Sequence, residues 1–111
     1  MKQLPNNTEI EQSIIGIVLL DCSILNSIEI DKEYFYYDIH KTIWETIQKI
    51  WNNTQKVDLV ILSKAMKDNG TIDMIGGSTY LMSCMNSVVT TANYAYYIDT
   101  LKKDYNHRQL I

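Results

Sequence analysis

The sequence predicts an all-α protein, a compact helical bundle of about six helices that ends in a projecting helical hairpin. Two observations predict this class. Apolar residues recur at helical spacing through most of the 111 residues, and no segment keeps the alternation of a half-buried strand. The single proline, Pro5, precedes the first helical pattern and so interrupts no helix. This length fits one domain, with a globular part at residues 1–77 and the hairpin at residues 78–111.

The first helix is expected to run from about Glu9 to Leu20. Thr8 is followed three residues later by Glu11, which is the spacing of a capping box. The apolar stripe of this helix consists of Ile10, Ile14, Ile17 and Val18. A short helical segment, "CSILNSI", is expected to follow it.

The next strong pattern belongs to a helix with His40 and Trp44 on its apolar face. A histidine in such a place is usually a core residue with both ring nitrogens partnered, so we expect His40 to be structural rather than a proton-transfer group. Asp58 is predicted to cap the following helix, "LVILSKAMKDN", and not to act as a catalytic acid. Gly70 stands where a left-handed residue ends a helix.

The pair Gly76-Gly77 is predicted to be a turn and not a phosphate-binding loop. A Walker loop needs a preceding strand and the pattern G-x-x-x-x-G-K-[ST], and here Ser78 follows where a lysine would be required. A dinucleotide fingerprint is also excluded, since the later glycine and the βαβ context are missing. Glycines followed by a Ser cap reverse the chain between two helices, so Ser78 is expected to cap a helix. The last helix is expected to begin near Ala92, capped by Thr90 or Thr91.

Charge and composition exclude several classes of function. The formal charge of −3 argues against unaided binding to a nucleic-acid backbone. A helix-turn-helix DNA binder stays an alternative, because residues 59–69 carry Lys64 and Lys67, although Asp68 and an acidic body offset them. A shift assay with duplex DNA at low salt would decide it.

The cysteines and hydrophobic runs indicate a cytoplasmic protein without cofactors. Cys22 and Cys84 are far apart and are expected to be free buried thiols in a reducing cytosol. No pair of residues has the spacing of zinc ligands, so no metal is expected. The run "SIIGIVLL" is too short to span a bilayer, and the chain shows no signal peptide.

Several short strings, taken in their order, resemble one family. These are "NNTEIEQSIIGIVLLD", "EYFYYDIHKTIWETI", "VDLVILSKAMKDNG", "IGGSTYL" and "VVTTANYAYYIDTLKKDYNHRQLI". Together they resemble the N-terminal domain of the replicative DNA helicase of the DnaB type, over essentially the whole chain. The matching positions are Pro5, Asn6, Asn7, Glu9, Glu11, Gln12, Ser13, Gly16, Leu20, Asp21, Phe35, Tyr36, His40, Val57, Asp58, Gly76, Gly77, Tyr80, Leu81, Thr91, Ala92, Asn93, Tyr96 and Tyr97.

The resemblance implies an assembly and docking domain that is not itself an enzyme. In this family a linker and a RecA-like ATPase domain follow, and that domain, absent from this chain, binds ATP and magnesium and drives unwinding. Six copies form a ring in which the N-terminal domains pair through a helical hairpin, as a trimer of dimers. The resulting collar is where primase docks through its C-terminal domain, and a helicase loader is a further expected partner. Direct nucleic-acid or membrane binding is not implied.

The residues expected at the dimer interface lie on the predicted hairpin of residues 78–88 and 92–111. They are Leu81, Met85, Tyr94, Tyr97, Ile98, Leu101 and Tyr105. Periodicity alone leaves open whether this apolar-aromatic stripe packs inside the chain, and the resemblance favours dimerisation. A second reading also stays open: a stand-alone small helical adaptor from a phage or mobile element that binds a host helicase or primase.

Overall fold

A computed structural model describes residues 7–110 and confirms the all-α class. The α-helices are α1 (Thr8–Leu20), α2 (Asp38–Thr54), α3 (Leu59–Asp68), α4 (Gly77–Asn86) and α5 (Tyr94–Gln109). Short 3-10 helices occur at Cys22–Asn26, Lys32–Tyr34 and Thr91–Asn93, the first of them at the predicted "CSILNSI" segment. None of the helices in the described range is long and apolar enough to cross a lipid bilayer. Pro5, predicted to precede the first helix, lies outside the described residues.

Helix α1 is the centre of the bundle, and α2, α4 and α5 all pack against it. Nearly every side chain from its second turn onward is buried, because neighbours cover it on several sides. Around it the core gathers large apolar residues from the other four α-helices and from the connection before α2; they include Phe35, Ile43, Trp44, Ile47, Leu62, Met66, Leu81, Ile98 and Leu101. A helix surrounded in this way is hydrophobic on most of its circumference, which explains the run "SIIGIVLL".

The start of α1 differs from the sequence prediction. Asn7, not Thr8, is the N-cap, and its side-chain oxygen accepts a hydrogen bond of 3.0 Å from the Ile10 backbone N–H. The capping box expected between Thr8 and Glu11 is therefore wrong. Because Glu11 is not needed at the helix end, its side chain is free to turn into the protein, where it is 1% exposed.

Helix α3 begins and ends where the sequence predicts. The Asp58 carboxylate accepts a hydrogen bond of 2.8 Å from the Ile61 backbone N–H, which caps the helix. After Asp68 the chain leaves the helix through Gly70, whose φ is 79°. That is the left-handed region in which glycine pays no steric penalty.

Gly76 and Gly77 form a turn between residues 71–75 and α4. Their φ angles are 98° and 77°, which is backbone that residues with a side chain rarely adopt. The expected Ser78 cap is wrong, because Gly76 itself occupies the N-cap position. Ser78 instead donates a hydrogen bond of 3.0 Å to the Ser63 hydroxyl, which joins α4 to α3.

The C-terminal helices do not project from the bundle in the described range. Both α4 and α5 pack on α1, and α5 also contacts the 3-10 helix at Lys32–Tyr34. The expected separation of a hairpin at 78–111 from a globular part at 1–77 is corrected accordingly. Thr90 caps the short 3-10 turn Thr91–Asn93, so that α5 begins at Tyr94 and not at Ala92.

Helices α1 and α4 approach each other closely at Gly16. A Cβ atom added at Gly16 would lie 2.2 Å from the carbonyl oxygen of Cys84 and 2.8 Å from Cγ2 of Val88. The first obstacle is backbone, which cannot turn aside as a flexible side chain can. Gly16 therefore sets the distance between α1 and α4.

We expect Gly16→Ala to lower the free energy of unfolding by about 2 kcal/mol or more, since α4 must move away from α1. In an unobstructed helix the same change stabilises by up to about 1 kcal/mol. The sign of the change in urea denaturation therefore tests the contact. Ser13→Ala, on the same helix, is the control and should alter stability little. A Gly16→Ala protein more stable than the parent would contradict this packing.

Candidate functional site

Most of the predicted dimer stripe lies inside the chain. Leu81, Ile98 and Leu101 are 0%, 7% and 2% exposed, and all three belong to the core. The expectation that they face a partner assumed a hairpin too far from the globule to bury them. The structure corrects it, because α1 lies beside both helices and takes up this face.

The other residues of that stripe are half-buried and also contact the chain itself. Met85 and Tyr97 pack against the core. Tyr105 lies beside Tyr34, with ring centroids 4.6 Å apart. Tyr94 is half-buried at the start of α5. The stripe as a whole therefore serves mainly to hold α4 and α5 to the bundle.

Three apolar side chains in the same region point outward, and none of them is among the residues predicted for the dimer interface. Met82 on α4 is 49% exposed, Val89 in the connection is 92% exposed, and Tyr96 on α5 is 66% exposed. We call them the outer apolar residues. Tyr96 already stands in the motif "TANYAYY", but periodicity draws attention to the inward stripe and away from the opposite side.

A buried polar network lies beneath α4 and joins three helices. The Glu11 carboxylate lies 2.7 Å from Nδ1 of His40 and accepts a hydrogen bond of 2.8 Å from the Tyr36 backbone N–H. Nε2 of His40 lies 2.5 Å from the Tyr80 hydroxyl. Gln12 donates to that hydroxyl at 3.2 Å, which closes the network back on α1.

The proton positions follow from the partners. A carboxylate only accepts hydrogen bonds, so the Nδ1–H of His40 donates to Glu11. In the neutral ring Nε2 then accepts a hydrogen bond from the Tyr80 hydroxyl. In the described part of the chain no buried side-chain nitrogen or oxygen lacks a partner. The sequence reading of His40 as a partnered core histidine agrees with this geometry.

The order carboxylate, imidazole, hydroxyl also occurs in the catalytic triads of hydrolases, but here the carboxylate and the imidazole are closed to solvent. Glu11 and His40 are each 1% exposed, so a substrate cannot reach them. The Tyr80 hydroxyl is already engaged by His40 and Gln12. The arrangement therefore fixes α4 to α1 and α2, and Trp44 extends the same role by donating from its indole to the Ile30 carbonyl at 3.1 Å.

Cys84 lies in the same layer and differs from Cys22. Cys84 is fully buried, whereas Cys22 is partly exposed, which corrects the expectation that both are buried. Burial raises the pKa of the Cys84 thiol to about 11 from its ordinary 9.0, although a hydrogen bond with Tyr80 acts in the opposite direction. Burial likewise raises the pKa of Tyr80. Both groups therefore stay protonated at neutral pH.

The chain was compared with known protein families, sequences and structures. Residues 3–103 match the family described as DnaB-like helicase N terminal domain. The replicative DNA helicase DnaB of Treponema pallidum is 32% identical over 95 residues, which is 84% of this chain and 22% of that protein. The chain spans between 12% and 24% of the length of several curated relatives that it matches, for example 22% and 24% in two of them.

Two solved structures share the fold over nearly the whole chain. The N-terminal domain of DnaB helicase from Mycobacterium tuberculosis superposes with a TM-score of 0.88 at 26% identity, covering 97% of this chain and 80% of that one. A DnaB-like replicative helicase, solved in a study of its interactions with primase, superposes with a TM-score of 0.83. That likeness covers 93% of this chain and 25% of the helicase chain, at 23% identity, and indicates the fold alone.

We expect Tyr80→Phe to destabilise the protein by about 1–3 kcal/mol, because Nε2 of His40 would be left buried without a partner. Chemical denaturation measures the change. Tyr94→Phe is the matched control, since the Tyr94 hydroxyl makes no hydrogen bond to the described residues. Equal stability of the two variants would show that the His40–Tyr80 contact contributes nothing.

We expect one fast-reacting thiol in the native protein, from Cys22, while Cys84 reacts with Ellman's reagent only on unfolding. In the Cys22→Ser variant the fast phase should disappear. Because burial raises the pKa of Cys84 from 9.0 to about 11, the folded state disfavours ionisation of this thiol. The contribution of Cys84 to the free energy of unfolding should therefore be complete below pH 9 and be lost as the pH rises towards 11. Rapid labelling of both thiols in native protein would refute the burial of Cys84.

Proposed function

Because the chain belongs to the DnaB-like helicase N-terminal domain family, we propose that it is a non-catalytic assembly and docking domain of a cytoplasmic replicative DNA helicase. It pairs with a second copy of itself in the collar of a hexameric ring, as a trimer of dimers. It also binds primase or a helicase loader during DNA replication. ATP and magnesium are bound elsewhere in the parent helicase. The family match across residues 3–103 carries this proposal.

The buried network supports a structural rather than a catalytic role for the chain. Its carboxylate–histidine pair, Glu11 and His40, is enclosed and hydrogen-bonded on every side, so it serves the packing of α1 against α2. Asp58, the other acidic group singled out from the sequence, is committed to capping α3. The hydrogen bonds that Glu11, His40 and Asp58 make within the fold leave these groups unsuited to acid–base chemistry.

The outer apolar residues support a role in protein contacts. Met and Tyr are enriched in the cores of protein interfaces, and methionine adapts to irregular partner surfaces. Met82 and Tyr96 lie on the two helices that the resemblance associates with pairing, but on their outward sides. The helicase of similar fold was studied with primase, which makes the primase C-terminal domain the first partner to test.

We expect the primase C-terminal domain from the same source to bind this chain with a Kd in the micromolar range, measured by calorimetry, and to bind the hexameric parent more tightly through avidity.

Met82→Asp and Tyr96→Asp should each weaken primase binding or self-association by about tenfold or more, because a charge would enter the contact. Val60→Asp is the matched control, an exposed apolar residue, 74% accessible, on α3.

The variants must be shown to fold. Leu101→Asp places a charge at a position that is 2% exposed, so it should unfold the chain and not yield folded monomers. Circular dichroism distinguishes that result from the loss of binding expected for the surface variants. No heat or chemical-shift change with primase at several hundred micromolar, together with monomeric sedimentation, would count against the docking role.

A further inference from the structure

A small notch lies between residues 25–30 and one face of α2. Its volume is about 250 Å³, and Glu29, Gln48, Trp51 and Asn52 form its edges above the buried Trp44. Pockets that hold drug-sized ligands or cofactors usually measure about 300–1,000 Å³. The notch is therefore of the size that takes a single long side chain.

The walls of the notch are held in place by one carbonyl group. The Ile30 carbonyl accepts hydrogen bonds from the Trp44 indole at 3.1 Å and from the Gln48 side-chain amide at 2.9 Å. Gln48 donates one amide N–H to the Ile30 carbonyl, so its second amide N–H and its carbonyl oxygen both remain for a ligand. The acceptors that the notch offers include the Gln48 carbonyl oxygen and the Glu29 carboxylate.

The charge of the notch has one sign. Glu29 is the charged residue that lines it, and no ion pair within residues 7–110 engages Glu29. Neighbouring surface depressions differ, since the one between α3 and α4 contains Lys64 and Lys67. Another, beside the end of α5, contains Lys41 and Arg108. The notch beside α2 suits a positive group, because Glu29 is the charged residue of its lining.

We propose that this notch binds an arginine side chain of a partner protein. The guanidinium stacks on the Trp51 indole, the aromatic ring that attracts cations most strongly. Its planar set of donors reaches both the Glu29 carboxylate and the Gln48 carbonyl oxygen. The compact ammonium group of lysine is less well shaped to bridge two acceptors. A nucleic-acid phosphate is disfavoured, because Glu29 would repel it.

The test uses the peptide acetyl-Gly-Arg-Gly-amide and its citrulline counterpart, which has nearly the same shape without the charge. For a single side chain we expect a Kd of about 1 mM at low salt. In ¹H–¹⁵N spectra the Trp51 indole and Gln48 amide resonances should shift saturably with the arginine peptide. The citrulline peptide should bind about tenfold more weakly or not at all.

Variants separate this site from general attraction to an acidic protein. Glu29→Gln should weaken arginine binding by about three- to tenfold and leave the citrulline titration unchanged, because it removes only the charge. Glu33→Gln, an exposed glutamate outside the notch, should have no effect. Trp51→Leu should weaken binding if its spectrum shows a folded protein, and Glu29→Gln carries the test if it does not.

Other outcomes would overturn the proposal. These are equal shifts with both peptides, no saturable shift at several millimolar, or an affinity insensitive to Glu29→Gln. A primase titration with unaltered protein tests the docking role separately, so that failure of one idea is distinguishable from failure of the other.

Discussion

The buried carboxylate of Glu11 is the constraint on which the arrangement of the helices depends. Removing a carboxylate from water costs several kcal/mol unless hydrogen bonds replace the lost solvent. Here the backbone N–H of Tyr36 and the His40 ring supply them, and His40 in turn needs the Tyr80 hydroxyl. Glu11 lies on α1, His40 on α2 and Tyr80 on α4. The three helices must therefore meet at one rotation and one height, because a slip of any one leaves a buried polar group unpaired.

Close packing at Gly16 determines how near α4 lies to α1. Gly16 lets the α4 backbone approach α1 so closely that a methyl group would clash with the Cys84 carbonyl. The polar network in the first half of α4 and this contact near its C-terminal end fix both the rotation of α4 and its distance from α1. With α4 fixed in this way, Met82 faces outward, since its neighbour Leu81 is buried in the core. On α5, the burial of Ile98 leaves Tyr96 on the outer side in the same way.

Local signals in the sequence predicted the parts of the fold that depend on local chemistry. The helices, the Asp58 cap, the left-handed Gly70 and the turn at Gly76-Gly77 are set by residues within one turn of each other. The misplaced features depend on neighbours distant in the chain. Asn7 and Thr8 can both cap a helix, and the Thr8–Glu11 spacing favours Thr8, so the sequence does not reveal that Glu11 instead meets a histidine 29 residues away. Periodicity likewise cannot say whether Leu101 faces α1 or a second molecule.

The division between buried and outward residues bears on how a partner would act on this domain. Helices α4 and α5 are tied to α1 by core side chains such as Leu81 and Leu101, so a partner on their outer side meets surfaces already in place. Docking on a preformed surface avoids the ordering cost that a flexible segment pays. It also favours only the folded state, so a bound partner adds to the stability that the Glu11 network and the core provide. On the docking proposal, α4 and α5 would therefore use one set of residues to hold the bundle together and another, on their outer side, to meet a partner.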